Sequence, residues 1–119
     1  NTALVTAVEG LSPEEVRADR SFYGRLVESA VGAHLANAAQ RGDCELFYWR
    51  EKNREVDFVV RAGKRLLAVE VKSGRRRDAL PGMAAFVDAF QPDRTLLVGG
   101  DGIELERFLS RPVEAWLNP

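Results

Sequence analysis

Apolar and polar side chains alternate most clearly in the middle of the chain. Apolar residues occupy every second position in residues 56–60 and again in residues 67–71, on either side of a short glycine-containing turn. A period of two is typical of a strand with one buried face. Two such strands around a short turn predict a β-hairpin in which Val56, Phe58 and Val60 share one face.

The flanking segments predict the rest of an α/β domain. Capping signals and apolar residues at helical spacing predict four helices. The first helix begins at Ser12. The other three cover Phe22–Arg41, Ala79–Phe90 and Arg111–Leu117. Apolar runs predict further strands over Leu46–Arg50, with both faces covered, and over Arg94–Val98. Because a helix connects the third and fourth strands, this pair is predicted to be parallel.

The polar side of the hairpin carries charges in a specific arrangement. Asp57 lies on the first strand, and Glu70 and Lys72 lie two residues apart at the end of the second. Two carboxylates and an ammonium at the ends of adjacent strands suit a divalent cation and an activated water molecule. The alternative without a functional role is that these are exposed strand residues that pair with opposite charges across the hairpin.

The same residues carry a family resemblance. Asp57 and, on the next strand, Glu70-Val71-Lys72 resemble the signature of the PD-(D/E)XK nuclease superfamily, and Glu28 lies where many members have a glutamate on a preceding helix. The wider pattern looks like the C-terminal domain attached to many prokaryotic AAA-type ATPases. It consists of Gly24-Arg25-Leu26-Val27-Glu28, Tyr48-Trp49-Arg50, Glu55-Val56-Asp57-Phe58 and Val69-Glu70-Val71-Lys72-Ser73-Gly74, and spans about residues 20–100.

This resemblance implies both a fold and a chemistry. The implied fold is α/β and restriction-endonuclease-like, with a mixed four- to five-stranded sheet flanked by helices and the core order αβββαβ. The implied activity is hydrolysis of phosphodiester bonds in DNA or RNA with Mg²⁺ or Mn²⁺. Asp57 and Glu70 would bind the metal together with the carbonyl of Val71. Glu28 would hold a second metal or a metal-bound water, and Lys72 would position the nucleophile.

The resemblance also implies a larger protein. Residues 1–20 are expected to be a segment connecting to an upstream AAA-type ATPase domain of the same polypeptide, and residues 21–119 the nuclease-like domain. The chain lacks the Gly-x-x-x-x-Gly-Lys-Ser/Thr motif, so no ATP site of that type is expected in it. The resemblance implies a prokaryotic protein. A cytoplasmic location without membrane contact is expected, since the sequence has no transmembrane run and a single cysteine, Cys44.

Composition leaves several alternatives open. With a net charge of −1 over 119 residues, nucleic acid would have to be bound by a local patch, for which Arg75, Arg76 and Arg77 are the candidates unless they are merely a solvated loop. Glu28 alternatively forms a structural salt bridge, and Lys72 alternatively neutralises Glu70. The competing function is a catalytically inactive, nuclease-derived module that provides nucleic-acid or protein contacts for the ATPase.

Overall fold

The computed structural model describes residues 20–72 and 81–118 as helices on both faces of one sheet. The helices are α1 (Arg20–Gln40), α2 (Pro81–Phe90), α3 (Leu105–Leu109) and α4 (Val113–Leu117), and the strands are β1 (Glu45–Glu51), β2 (Arg54–Ala62), β3 (Arg65–Val71) and β4 (Arg94–Val98). The helix predicted to begin at Ser12 lies outside these residues. In the described ranges, no helix is long and apolar enough to cross a membrane.

The four strands form a mixed sheet in the order β1-β2-β3-β4. The first three strands pair antiparallel, whereas β3 and β4 pair parallel. The parallel pair is connected through α2, which confirms the crossover that the sequence predicts. This topology brings the start of β2 and the ends of β3 and β4 to one end of the sheet.

A β-bulge interrupts the pairing of β1 with β2. Phe47 pairs with Val59, but Trp49 pairs with Val56, so Tyr48 lies opposite two residues of β2 instead of one. An extra residue of this kind disrupts the ladder locally and bends the bulged strand. The two residues opposite Tyr48 are Asp57 and Phe58. The bulge therefore includes Asp57, the first residue of the predicted charged site.

The bulge changes which side chains share a face. Phe58 and Val60 belong to the core under α1, but Val56 packs with Val59 and Phe86 on the other face, under α2. The prediction that Val56, Phe58 and Val60 lie on one face is therefore wrong for Val56. Strict alternation fails because the bulge shifts the side-chain period by one residue.

The larger core lies between the sheet and helices α1, α3 and α4. Its helical members include Val27, Val31 and Leu35 of α1, all with at most 1% of their surface exposed. Cys44 is buried in the same core. The smaller core beneath α2 closes the second face of the sheet.

Strand β1 lies at an edge of the sheet, and the prediction that both its faces are covered is wrong. Tyr48 is 73% exposed and Phe47 is 41% exposed. The guanidinium of Arg61 lies 5.2 Å from the centre of the Phe47 ring, and Trp49 packs edge-on against Phe86. An apolar run identifies a strand but does not distinguish an edge position from a central one.

The C-terminal region contains one more helix than the sequence predicts. Helix α3 supplies Phe108, which is fully buried, and the indole N–H of Trp116 in α4 donates to its carbonyl at 3.1 Å. His34 of α1 lies at the edge of this packing, with Nε2 2.9 Å from the carbonyl oxygen of Arg111. A helix of five residues, less than two turns, is too short for helical spacing to show in the sequence.

Gly82 fixes the approach of α2 to the sheet and gives a first prediction. A Cβ at residue 82 would lie 1.9 Å from the carbonyl oxygen of Glu55. Since backbone must shift to accept it, we expect Gly82→Ala to lower the free energy of unfolding by about 1–3 kcal/mol in urea denaturation. Ala84→Ser, at an exposed position of the same helix, is the control, with a change within about 0.5 kcal/mol. Equal stability of the two variants would contradict this close approach.

Candidate active site at the end of the sheet

The predicted site residues collect at one end of the sheet. Asp57 lies near the start of β2, and Glu70 and Lys72 lie at the end of β3. Because β4 runs parallel to β3, the loop Gly99-Gly100-Asp101-Gly102 that follows β4 lies at the same end. Helix α1 passes above it and carries Glu28. We call this end of the sheet the candidate site.

Asp57 occupies the point where β2 and β3 separate. The regular pairing of the two strands ends at Phe58 and Val69. Beyond it, Oδ2 of Asp57 accepts the backbone N–H of Val71 at 2.7 Å, so a side-chain carboxylate takes the place of a strand carbonyl. This charge-assisted bond fixes the carboxylate between the two strand ends.

Glu28, on α1, lies close enough to Asp57 for their charges to interact. The pKa of Glu28 is raised above its usual value near 4.5, first by partial burial and then by the negative charges of Asp57 and Glu55. Within the described part of the chain, Glu28 has no hydrogen bond or ion pair. The alternative of a structural salt bridge stays open, and burial and the neighbouring negative charges disfavour the ionised form of Glu28.

Glu70 lies on β3 between two residues that pack into the α1-side core, Val69 and Val71. By strand alternation its half-buried side chain leaves the sheet towards the α2 side. Across residues 20–72 and 81–118, no three histidine, cysteine, aspartate or glutamate side chains are grouped so that they could hold a metal ion. A cation shared by Asp57 and Glu70 therefore stays a prediction that requires side chains to turn towards each other.

Lys72 has a partner that the sequence does not indicate. Its ammonium nitrogen lies 3.1 Å from Oδ2 of Asp101, in the loop after β4. The Lys72 side chain is only 12% exposed, whereas that of Asp101 is 77% exposed. The parallel arrangement of β3 and β4 was the available signal, because the residues that follow two parallel neighbours meet at the same edge.

Basic residues near the site come from the β1–β2 turn. Arg50, Lys52 and Arg54 are exposed at this end of the sheet, and Lys52 has a left-handed backbone with φ 57°. The turn between β2 and β3, with its own basic residues, lies at the opposite end. Arg75, Arg76 and Arg77 lie outside the described residues.

Comparison with known proteins gives one match. Residues 23–109 match the sequence profile of a family described as a domain of unknown function, DUF4143. The matched region contains every residue of the candidate site. No curated protein and no solved structure shows significant similarity to the chain.

The raised pKa of Glu28 predicts a pH-dependent effect of its removal. A carboxyl group whose pKa is higher in the folded state stabilises the fold when protonated, and this contribution is lost as pH rises through the folded-state pKa. We therefore expect Glu28→Gln, measured in EDTA, to have a higher melting temperature than the wild type at pH 7. The difference should shrink as pH falls through the folded-state pKa towards 4.5, and should vanish well below 4.5, where the carboxyl is protonated in both states.

The control for this measurement is Ser29→Ala, an exposed and uncharged position on the same helix. Its effect on melting temperature should be the same at pH 4 and pH 7. If Glu28→Gln destabilised the protein equally at both pH values, Glu28 would be a structural anchor and not a member of a crowded carboxylate group.

Proposed function

The chain belongs to the DUF4143 family, and we propose that it is a restriction-endonuclease-like, nuclease-type domain that hydrolyses phosphodiester bonds of DNA or RNA with Mg²⁺ or Mn²⁺. The observation that carries the proposal is that the Asp57 carboxylate binds the end of β3 at the N–H of Val71, the residue between Glu70 and Lys72. Glu28 adds a carboxylate that interacts electrostatically with Asp57. Acidic side chains beside a lysine are the groups that such a hydrolysis needs.

The electrostatics of the site fit a divalent cation. Burial raises the pKa of Glu28 first, and the negative charges of Asp57 and Glu55 raise it further; a cation between the carboxylates would offset that repulsion. The residues that would hold the cation are Asp57, Glu70 and the carbonyl of Val71, with Glu28 close by. A bound divalent cation would polarise the phosphoryl oxygens and lower the pKa of a water ligand.

Lys72 is proposed to position the attacking water and to stabilise developing negative charge. An ammonium group has three N–H donors. The hydrogen bond to Asp101 uses one of them, and two remain for a water molecule and a phosphate oxygen. A low exposure of 12% keeps this charge in a partly desolvated position, where electrostatic stabilisation is stronger than in water.

An ATPase domain is the proposed partner. The family is often found in AAA-ATPase-associated proteins. This supports the interpretation of residues 1–20 as a connection to an upstream ATPase in the same, cytoplasmic polypeptide. In that arrangement ATP hydrolysis would deliver or remodel the nucleic acid, and the sheet end would act on it.

A second candidate function is the inactive module. Two observations favour it: no three-ligand metal group is assembled among the described residues, and the ammonium of Lys72 is held by Asp101. A net charge of −1 also gives no general attraction for nucleic acid. In this case the domain would bind the ATPase or nucleic acid without cleaving it.

Metal binding provides the next prediction. Because a ligand that binds only the folded state stabilises it by about 2.7 kcal/mol at 100 times its Kd, saturating Mn²⁺ should raise the melting temperature of the wild type at pH 7.5. Asp57→Asn should abolish most of this rise. Glu45→Gln removes a carboxylate from the same sheet at its other end, where it pairs with Arg61, and should leave the rise intact. An equal rise in all three proteins would exclude the candidate site as the metal site.

Cleavage separates the two candidate functions. We expect the wild type, joined to its ATPase and supplied with ATP and Mg²⁺ or Mn²⁺, to cut single- or double-stranded DNA or RNA. Lys72→Ala should lower the rate by about 10²–10³-fold, since it removes a donor aimed at developing charge. Its nucleic-acid affinity should persist and weaken with salt.

The matched control is Lys64→Ala, which removes an exposed lysine from the turn at the opposite end of the sheet and should cut at the wild-type rate. If the wild type and Lys72→Ala both left every substrate intact while binding equally well, the inactive module would be the correct assignment.

A further inference from the structure

The backbone around Lys72 is joined firmly to β4. The N–H of Lys72 donates to the carbonyl of Val98 at 2.9 Å, which extends the β3–β4 pairing by one residue. The following turn is closed by three more backbone hydrogen bonds, from Gly99 to Ile103, from Gly102 to Gly99 and from Ile103 to Leu97, each 2.7–2.9 Å long. The loop that carries Asp101 therefore has a defined shape.

This loop is fitted to the lysine side chain. The aliphatic part of Lys72 crosses Gly100, where a Cβ would lie 2.4 Å from Cδ of the lysine. Gly99 approaches as closely, since a Cβ there would lie 2.9 Å from the Lys72 carbonyl oxygen. Both glycines have positive φ, at 86° and 56°, a conformation that side chains rarely adopt. Glycine at residues 99 and 100 gives the lysine a groove to lie in.

We propose that Asp101 is a positioning residue for Lys72, which holds the ammonium at the candidate site before substrate arrives. The inference rests on the proposed function, because it assigns Asp101 a part in the same hydrolysis. Asp101 accepts one N–H of the ammonium and fixes the nitrogen, and the other two N–H groups keep their freedom to contact water and a phosphate oxygen.

An ordinary surface ion pair does not explain this arrangement. Such pairs join two mobile, solvated side chains and contribute little. Here the lysine is 12% exposed, its stem lies against Gly100, and the loop that supplies the carboxylate is closed by backbone hydrogen bonds. Ordering a lysine side chain costs conformational entropy. Because this loop orders Lys72 when the protein folds, that entropy is not lost again when substrate binds.

Steady-state cleavage by the full-length protein tests the positioning role. We expect Asp101→Ala to lower kcat by about 10- to 100-fold, because a displaced lysine loses its alignment with the attacking water. KM for nucleic acid should stay equal or fall, since a negative charge is removed near the phosphate. Asp101→Asn, which retains an oxygen acceptor, should recover most of kcat.

The control is Asp88→Asn, which removes an exposed carboxylate from α2 and should match the wild type in both constants. Gly100→Ala should reproduce the loss of kcat by pushing the lysine stem aside. A rise in kcat/KM for Asp101→Ala would overturn the proposal, because Asp101 would then compete with substrate for Lys72. Unchanged kcat would overturn it as well.

A second measurement does not depend on activity. In ¹³C-labelled protein, the two ε-methylene protons of Lys72, assigned by their loss in Lys72→Ala, should have distinct shifts and a high order parameter. Both features should be lost in Asp101→Ala. If the wild type cut no substrate, the proposed function would fail while this result still decided whether Asp101 orders Lys72. Averaged ε-protons in the wild type would refute the ordering itself.

Discussion

The candidate site depends on one extra residue in β2. Opposite Tyr48 the strand has two residues where its partner has one, and its side-chain alternation shifts there. Val56 consequently packs under α2, whereas Phe58 packs under α1. Asp57 lies at the point of change, which leaves its carboxylate available to bond the end of β3 at Val71. A regular hairpin would have paired β2 and β3 to their ends and left no gap between them.

Two kinds of constraint meet at this gap. On one side, the ionised form of Glu28 is disfavoured first by burial and then by the negative charges of Asp57 and Glu55. On the other, Lys72 is held by Asp101 and seated on Gly100. Residual repulsion among the carboxylates is the kind of local cost that functional sites retain.

Sequence patterns predict where helices and strands lie better than they predict which faces of those elements are buried. The bounds of β4 and the parallel β3–β4 pair follow directly from an apolar run and a crossover helix. The edge position of Tyr48 does not, because exposure depends on which strand is adjacent and not on local composition. The face of Val56 was mispredicted for a related reason: a bulge is a property of the pairing between two strands and leaves no mark in either one alone.

The residues of the candidate site also differ in whether the sequence alone indicates them. Asp57, Glu70 and Lys72 follow from spacing on two strands, and Glu28 from the family resemblance, but Asp101 is visible only once β3 and β4 are side by side. Its loop reads in sequence as an ordinary glycine-rich turn, yet Gly100 is required by the lysine that crosses it. The residues proposed to carry the chemistry are therefore easier to find from sequence than the residue proposed to orient one of them. Orientation is set by contacts between segments that are distant along the chain, here Lys72 and Asp101, and such contacts have no local period.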